Sequence, residues 1–536
     1  MPDSLIGKSK SPTVAIVGAG IGGLTAAALL AHRGYQVQVL EQALVPGGCA
    51  STFKRKGFTF DVGATQVAGL EPGGIHHRIF SELEIEIPAA TPCDPACAVF
   101  LPGETEPINV WRDQERWQAE RQRQFPGSDR FWQLLANLFR YSWAFQSRDP
   151  VLPPRNLWDL WQLTKAVRPD TILTLPYTFL TVGDALRIYG LGDDRRLRTF
   201  LDLQLKLYSQ VDAEETALLY AATALGVSQE PQGLYHLVGS MQVLSDRLVE
   251  ALERDGGKLL MRHSVEHIYV ENGKATGVRI RDRKTGEVWI QSADYVVANV
   301  TVQNLVQLLE GEENEPPRRQ GRKEEEKKIG AIPNSQFPIP KGYSRRVDKL
   351  PSASGAFVVY LGVEESAIPP GCPPHLQFLY DLSGPLGENN SLFVSVSHPG
   401  DGRAPDGKAT ITASSFTDVR QWWNCLNYDD LKDKYTEEAI ARLSQFFHLT
   451  PETIIHVEAA TPRTFAHFTA RDRGIVGGIG QRVSTFGPFG FANRTPIKHL
   501  CLVGDSTHPG EGTAGVSYSA LTVVRQIEAD SSRRFT

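Results

Sequence analysis

Cysteine is scarce in this 536-residue chain: there are six, with no framework of paired spacings. Cys93 and Cys97 flank Asp-Pro-Ala, which is neither a redox C-x-x-C pair nor a zinc knuckle. A disulfide scaffold is thereby excluded, a reducing compartment is expected, and the cysteines read as structural. Charge of one sign is also lacking. The chain has 56 Lys and Arg against 61 Asp and Glu, a net charge of −5, so no basic surface for nucleic acid is expected. Long apolar runs are missing too. The longest nearly apolar stretch, Ala217 to Val227, is well short of the roughly 20 residues of a spanning helix. Met1 to Pro12 is polar and too short for a signal peptide. The chain is therefore not expected to cross a membrane, which leaves open that it rests on one. Neither internal repeats nor an evident Ser-His-Asp or metal-ligand cluster appear, which argues against a triad hydrolase and a metalloenzyme and predicts no metal. The remaining composition, 41% hydrophobic and 22% charged, is ordinary for a globular protein. The length suggests roughly two to four domains or one large composite.

What is present is concentrated at the two ends. Thr13 to Leu24 reads as a buried strand, a glycine turn and the start of a helix. Gly18, Gly20 and Gly23 have the G-x-G-x-x-G spacing. The first allows the tight turn, the second lets a pyrophosphate approach the backbone, and the third lets helix and strand pack closely. The helix N-terminus then offers free N–H groups and a positive dipole end to phosphates. The helix runs through Thr25 to Leu30, with Gly34 placed to end it. A second strand, Val37 to Leu40, leads to Glu41, about 20 residues on, where an acid would bind a ribose hydroxyl. A βαβ unit of this kind predicts dinucleotide binding. Pro46-Gly47-Gly48 and Asp61-Val62-Gly63 follow. The paired glycines would let a loop lie against the cofactor, and Phe58 to Asp61 alternates like a short strand.

From about residue 85 to 230 the texture is helical and aromatic. Six of the nine tryptophans (111, 117, 132, 143, 158 and 161) fall in this stretch. Phe131, Trp132, Leu135, Leu138 and Phe139 recur at helical spacing, and Leu157 begins another amphipathic stretch. The segment is either a helical core under a lid or an interfacial surface, since tryptophan suits the membrane boundary. Residues 237–273 return to α/β texture. Leu237, Met241, Leu244, Leu248 and Leu252 form a helical stripe, and strands follow at Val265–Val270, Gly277–Ile280 and Asp294–Asn299. The mixed-charge stretch 311–330 is expected to be a solvated, disordered loop. Near the C-terminus, His499 to Asp505 is a strand ending in Gly504-Asp505, followed by a glycine-rich turn through Gly512 and a last helix. An acid there suits a second polar part of the same cofactor, such as the ribityl chain of a flavin. Gly478-Ile479-Gly480 lacks a third glycine, so no second nucleotide domain is expected.

Together these residues resemble the carotenoid desaturase and isomerase family of FAD flavoproteins, a branch of the amine-oxidase-like superfamily. The likeness rests on Val17 to Gly23, Glu41, Pro46-Gly47-Gly48, Asp61-Val62-Gly63, the Val265 strand and Gly504 through Gly515. Within the family, Pro46 to Gly74 and Thr199 to Gly226 look most like the cyanobacterial carotenoid 3',4'-desaturases. The resemblance departs at Cys49, where many members carry an arginine that isomerase-type members also lack. It implies an α/β fold with a discontinuous Rossmann-type FAD-binding domain (12–85, 231–300 and 455–536), built on a parallel sheet with helices. An α+β substrate domain (86–230 and 331–454) would carry the helical part that is the candidate for facing a membrane. Implied cofactor contacts are Gly18, Gly20, Gly23, Glu41, Gly47, Gly48, Gly504, Asp505 and Gly512, with Val265 meeting the adenine side through its backbone. The implied reaction removes two hydrogens from a lipophilic carotenoid, with a quinone or oxygen as electron acceptor, on the cytoplasmic side of a membrane to which the protein binds peripherally. Cis–trans isomerisation is the first alternative; a soluble-substrate amine oxidase and a non-catalytic flavin- or carotenoid-binding protein follow. No proton acceptor stands out from sequence, and the candidates are His508 and Glu511 in the last turn.

Overall fold

The computed structural model describes residues 11–310 and 339–532; the 311–330 stretch lies outside them. Five parallel strands form the first sheet, in the order Lys258–Met261, Gln36–Glu41, Thr13–Val17, Tyr295–Ala298 and Leu500–Leu502. Three distant parts of the chain thus build one doubly wound sheet. Alternation along each strand explains its two layers. Val14, Ile16, Val37, Val39 and Val297 point to one side, where they meet the helices Ile21–His32, Gln242–Arg254 and Gly512–Ser532. Ala15, Val17, Leu40, Val296 and Ala298 point to the other. There they pack on the antiparallel sheet of His263–Glu271, Lys274–Asp282 and Val288–Ser292 and on the helix Val302–Glu310. The helix Ile21–His32 is apolar all round and buried from Ile21 to Ala31, as a helix flanked by two others and a sheet must be.

A seven-stranded mixed sheet forms the second layer, in the order Ile454–Ala460, Gly355–Glu364, Lys408–Thr417, Ser391–Val396, His375–Leu379, Cys97–Phe100 and Ile108–Val110. Phe357, Val359, Leu361 and Val363 of its long strand pack on Trp422 and on the helix Tyr428–Leu443. The alternate residues Ala356, Val358 and Tyr360 pack on Phe58 and Phe60 of the short strand Phe58–Asp61. One face of this sheet therefore looks toward the first layer. A helical segment from Gln114–Gln124 to Leu218–Gly226 caps the space between them.

Two details depart from the sequence reading. Residues 455–460, expected with the dinucleotide part, complete the strand Ile454–Ala460 of the second sheet, because Gly355–Glu364 offers it a full antiparallel edge. Leu237 is not on the helical stripe: it ends the strand Leu234–Leu237, and the helix begins at Gln242. Its side chain still enters the same core, so the periodicity misled about backbone and not about burial.

Candidate functional site

The first glycine turn is fixed by contacts that leave no room for side chains. Gly18 has φ +93°, and a Cβ there would stand 2.8 Å from the Asn299 carbonyl oxygen. A Cβ on Gly20 would lie 2.7 Å from Asn299 Nδ2, and one on Gly23 only 2.1 Å from the Gly18 oxygen. Gly18 thus allows the turn beside Asn299, Gly20 keeps the backbone bare there, and Gly23 lets the helix close on the turn. No side chain caps the helix Ile21–His32 at Gly20, so its first N–H groups are free to meet phosphate. Gly47 is bound onto this turn, its N–H donating to Ala19 O at 2.8 Å. Glu41 accepts from the N–H of Ala19 at 2.7 Å and of Ala43 at 2.8 Å. Burial raises its pKa, opposed by those bonds.

Asn299 escaped the sequence reading. It ends the strand Tyr295–Ala298, donates to Gly18 O at 3.4 Å, and stands 3.4 Å from where a Gly504 Cβ would be. It is the post between the two glycine turns. The signal available was only an Asn at the end of a buried strand, which does not announce a role until a second turn is known to pack against it.

At the second turn Gly504 has φ +122°. Asp505 is paired with Arg471, Nη2 to Oδ2, at 2.8 Å, a partner that sequence did not suggest. Gly512 opens the helix Gly512–Ser532.

A single large cavity, about 1100 Å³, joins these parts. Gly18, Gly20, Glu41, Gly47, Gly48, Val265, Asp505 and Gly512 line it. Gly23 and Gly504 do not. They stand one layer behind, Gly23 under the turn and Gly504 beside Asn299, so their part is to shape the wall and not to touch a ligand. His508 and Glu511 both face the cavity. His508 hydrogen-bonds Gln146 Oε1 through Nε2 at 3.0 Å, and burial lowers its pKa to about 4, which keeps it neutral. Glu511 accepts from Gln210 Nε2 at 3.1 Å, and burial, with Asp505 nearby, raises its pKa to about 8. Beyond the glycines the walls become apolar, with Trp143, Leu163, Leu175, Leu207, Phe393 and Phe416 among them.

The tryptophans divide. Trp117 and Trp132 are buried together with Phe131 and Phe200 in a helical core. Trp161 is 59% exposed, with Leu157 at 81%, Leu173 at 58% and Phe179 at 67%. The same short helices, Leu157–Ala166 and Pro169–Thr174, turn Leu163, Thr171 and Thr174 inward to the cavity. Among the described residues no helix is long and apolar enough to cross a membrane.

Two glycine turns about a common asparagine, on a doubly wound sheet, define a dinucleotide-binding flavoenzyme fold. Solved structures agree. Cyclohexylamine oxidase from Brevibacterium oxydans aligns with a TM-score of 0.59 at 16% identity, covering 97% of this chain and 100% of that one. An oxidoreductase from Methanosarcina mazei aligns with a TM-score of 0.61 at 17% identity, covering 96% and 100%. Residues 16–83 match the NAD(P)-binding Rossmann-like domain. In sequence, a chloroplastic prolycopene isomerase from an Oncidium hybrid cultivar is 28% identical over 527 residues, covering 96% of this chain and 83% of that one. A neurosporene-forming phytoene desaturase from Cereibacter sphaeroides is 26% identical over 542 residues, covering 97% and 95%. The chain is a homologue of the carotenoid desaturases and isomerases, within the FAD-dependent oxidoreductases of amine-oxidase-like fold. Its cofactor is FAD. The chemistry of the cradle fits that group: a helix N-terminus that no side chain caps, glycines where a Cβ would clash, a buried carboxylate at the end of the second strand, and a second glycine turn that carries Asp505.

Proposed function

We propose that the protein removes two hydrogens from adjacent carbons of a long polyene of the carotenoid class. The observation that carries this reading is the continuity of one cavity from the cofactor cradle to an exposed apolar face. The helices Leu157–Ala166 and Pro169–Thr174 supply both its inner wall and that face. A stretched apolar molecule needs volume with mostly apolar walls, and the distal part of the cavity offers that. Exposed apolar side chains gathered on one surface mark an interaction site. Lys165, which stands 5.5 Å from the Trp161 ring centroid, and the exposed Arg168 at its edge suit an anionic membrane surface. Relatives act on such substrates by name: prolycopene isomerases, phytoene desaturases, and an all-trans-retinol 13,14-reductase from Danio rerio.

Bound FAD would supply the hydride acceptor. The chain's own residues do the rest. The apolar walls hold the polyene and exclude water. Glu511, which lines the cavity with its pKa raised to about 8, takes the proton left behind, since a base works best with its pKa near the working pH. His508 holds the Asp129–Gln146 helix against the cradle through Gln146. A quinone or oxygen would then take the electrons.

Isomerisation is the second reading. It is favoured by Cys49 after the paired glycines and by the prolycopene isomerases among the relatives. Incubation of the FAD-loaded protein with defined carotenoids in liposomes, followed by mass analysis, decides between them. A product lighter by two hydrogens is the expected outcome. Unchanged mass with altered geometry would give the isomerase reading.

A further inference from the structure

Between the two sheets lies a buried polar cluster that neither cofactor binding nor substrate binding uses. His236 sits on the strand Leu234–Leu237, His375 opens the strand His375–Leu379, and His398 lies in the loop before Lys408–Thr417. The ring centroids of His375 and His236 are 5.6 Å apart, and those of His236 and His398 are 5.3 Å apart. His375 and His236 are fully enclosed, whereas His398 is half-buried and reaches toward the surface. The inner end touches the cavity wall. The His375 ring stacks on Phe393 at 6.0 Å and stands beside the backbone of Thr65, and both Phe393 and Thr65 line the cavity.

The unusual feature is what these groups leave unpaired. Nδ1 of His236 and the hydroxyl of Thr65 are buried without a hydrogen-bond partner among the protein's atoms, and His375 meets only the backbone of Thr65. Leaving a buried polar group unpaired costs about 1–3 kcal/mol. His236 Nε2 faces two partners, Asp401 Oδ2 at 3.1 Å and Arg403 Nη1 at 2.9 Å. The tautomer decides which one it meets: an Nε2–H donates to Asp401, and a bare Nε2 accepts from Arg403. The charged groups around the rings are Asp61, Asp401 and Arg403, with Arg403 paired to Asp61 at 3.0 Å and to Asp401 at 3.2 Å. Arg403 thus lies between two carboxylates beside the rings. Burial, followed by His236 and Arg403 alongside, keeps His375 neutral at rest.

We infer that Thr65, His375, His236 and His398 form a proton path from the cavity to the surface. The need for one rests on the desaturase reading. When two C–H bonds on adjacent carbons are replaced by a C=C bond, one hydrogen leaves with its electron pair to FAD. The other leaves as a proton, its bond electrons becoming the new π bond. That proton must reach water through walls built to exclude it. The four residues are positioning and relay groups, since none of them is the group that meets the substrate carbon.

The test uses FAD-loaded unaltered protein, His375→Phe and His398→Gln. The flavin is reduced chemically in weakly buffered solution holding a pH indicator, without carotenoid, so the result does not depend on the desaturase reading. Flavin reduction takes up protons from solution. Both variants are expected to keep the flavin absorbance, while proton uptake slows roughly tenfold in His375→Phe and less in His398→Gln. Added imidazole should restore the half-exposed His398→Gln site. Equal proton-uptake rates in the unaltered protein and His398→Gln, and in His375→Phe where it loads flavin, would overturn the path. Carotenoid turnover measured alongside bears on the function separately: its absence from the unaltered protein overturns the desaturase reading alone.

Discussion

The cradle and the apolar end of the same cavity are built by opposite rules. At the cradle, recognition is by backbone. Gly18, Gly20 and Gly23 are held at distances where a single added carbon would strike Asn299 or Gly18 itself, so each position admits one residue type. At the far end, recognition is by volume. Leu163, Leu175, Leu207, Phe393 and Phe416 present apolar surface, and many other side chains of similar size would serve. Polar binding concentrates its requirements in a few atoms; apolar binding spreads them over a wall. The two regions should therefore respond very differently to substitution.

The largest effect is expected at the turn. Gly20→Val drives side-chain carbons into Asn299 Nδ2 and into the space a pyrophosphate needs. The purified variant should carry no yellow absorbance, and a variant that kept full flavin content would break the comparison at its root. Next is Glu511→Gln, which changes charge without shape. Flavin content should hold while kcat falls about a hundredfold. With the carboxyl pKa raised to about 8, the base form grows as pH rises through that value, so wild-type kcat should climb across it. Loss of that limb in the variant, read from a pH–rate profile, checks the assignment.

The exposed face comes third. Replacing Trp161 and Leu173, both more than half exposed, with aspartate removes two side chains worth about 1.5–3 kcal/mol each on full burial in an apolar phase. Liposome flotation should fall at least tenfold while the flavin spectrum stays unchanged. Undiminished flotation would remove the membrane from the account. Smallest of all should be Leu207→Met, which keeps volume in the apolar wall. Such swaps cost less than about 1.5 kcal/mol, and turnover should stay within a few-fold of wild type. A collapse of activity there would mean that the wall reads its substrate as closely as the cradle reads its cofactor.

The same contrast explains what could be read in advance. The fingerprint turn, Glu41, the paired glycines and the Gly504-Asp505 turn were legible because backbone recognition writes itself into spacing. Their assembly into one parallel sheet followed from buried strands at Thr13–Val17, Tyr295–Ala298 and Leu500–Leu502. Asn299 and Arg471 were not legible, since an asparagine after a strand or an arginine in a loop has no local signature. Nor was the division of the tryptophans. Trp132 and Trp161 both lie in amphipathic stretches, and only packing sends one into the core and the other to the surface.

By itself the sequence determined a dinucleotide-binding fold, the glycine turns and acids that line its cavity, and the flavin class of its cofactor. Glycine at a positive φ and an acid at the end of a strand are requirements of local geometry, and local geometry is written in neighbouring residues. Tertiary structure alone decided that Asn299 stands between the two turns, that Asp505 is paired to Arg471, and that Thr65 and three histidines from separate strands and loops meet behind the cavity wall. Those are contacts between residues far apart in the chain, created by the folding of one sheet over another.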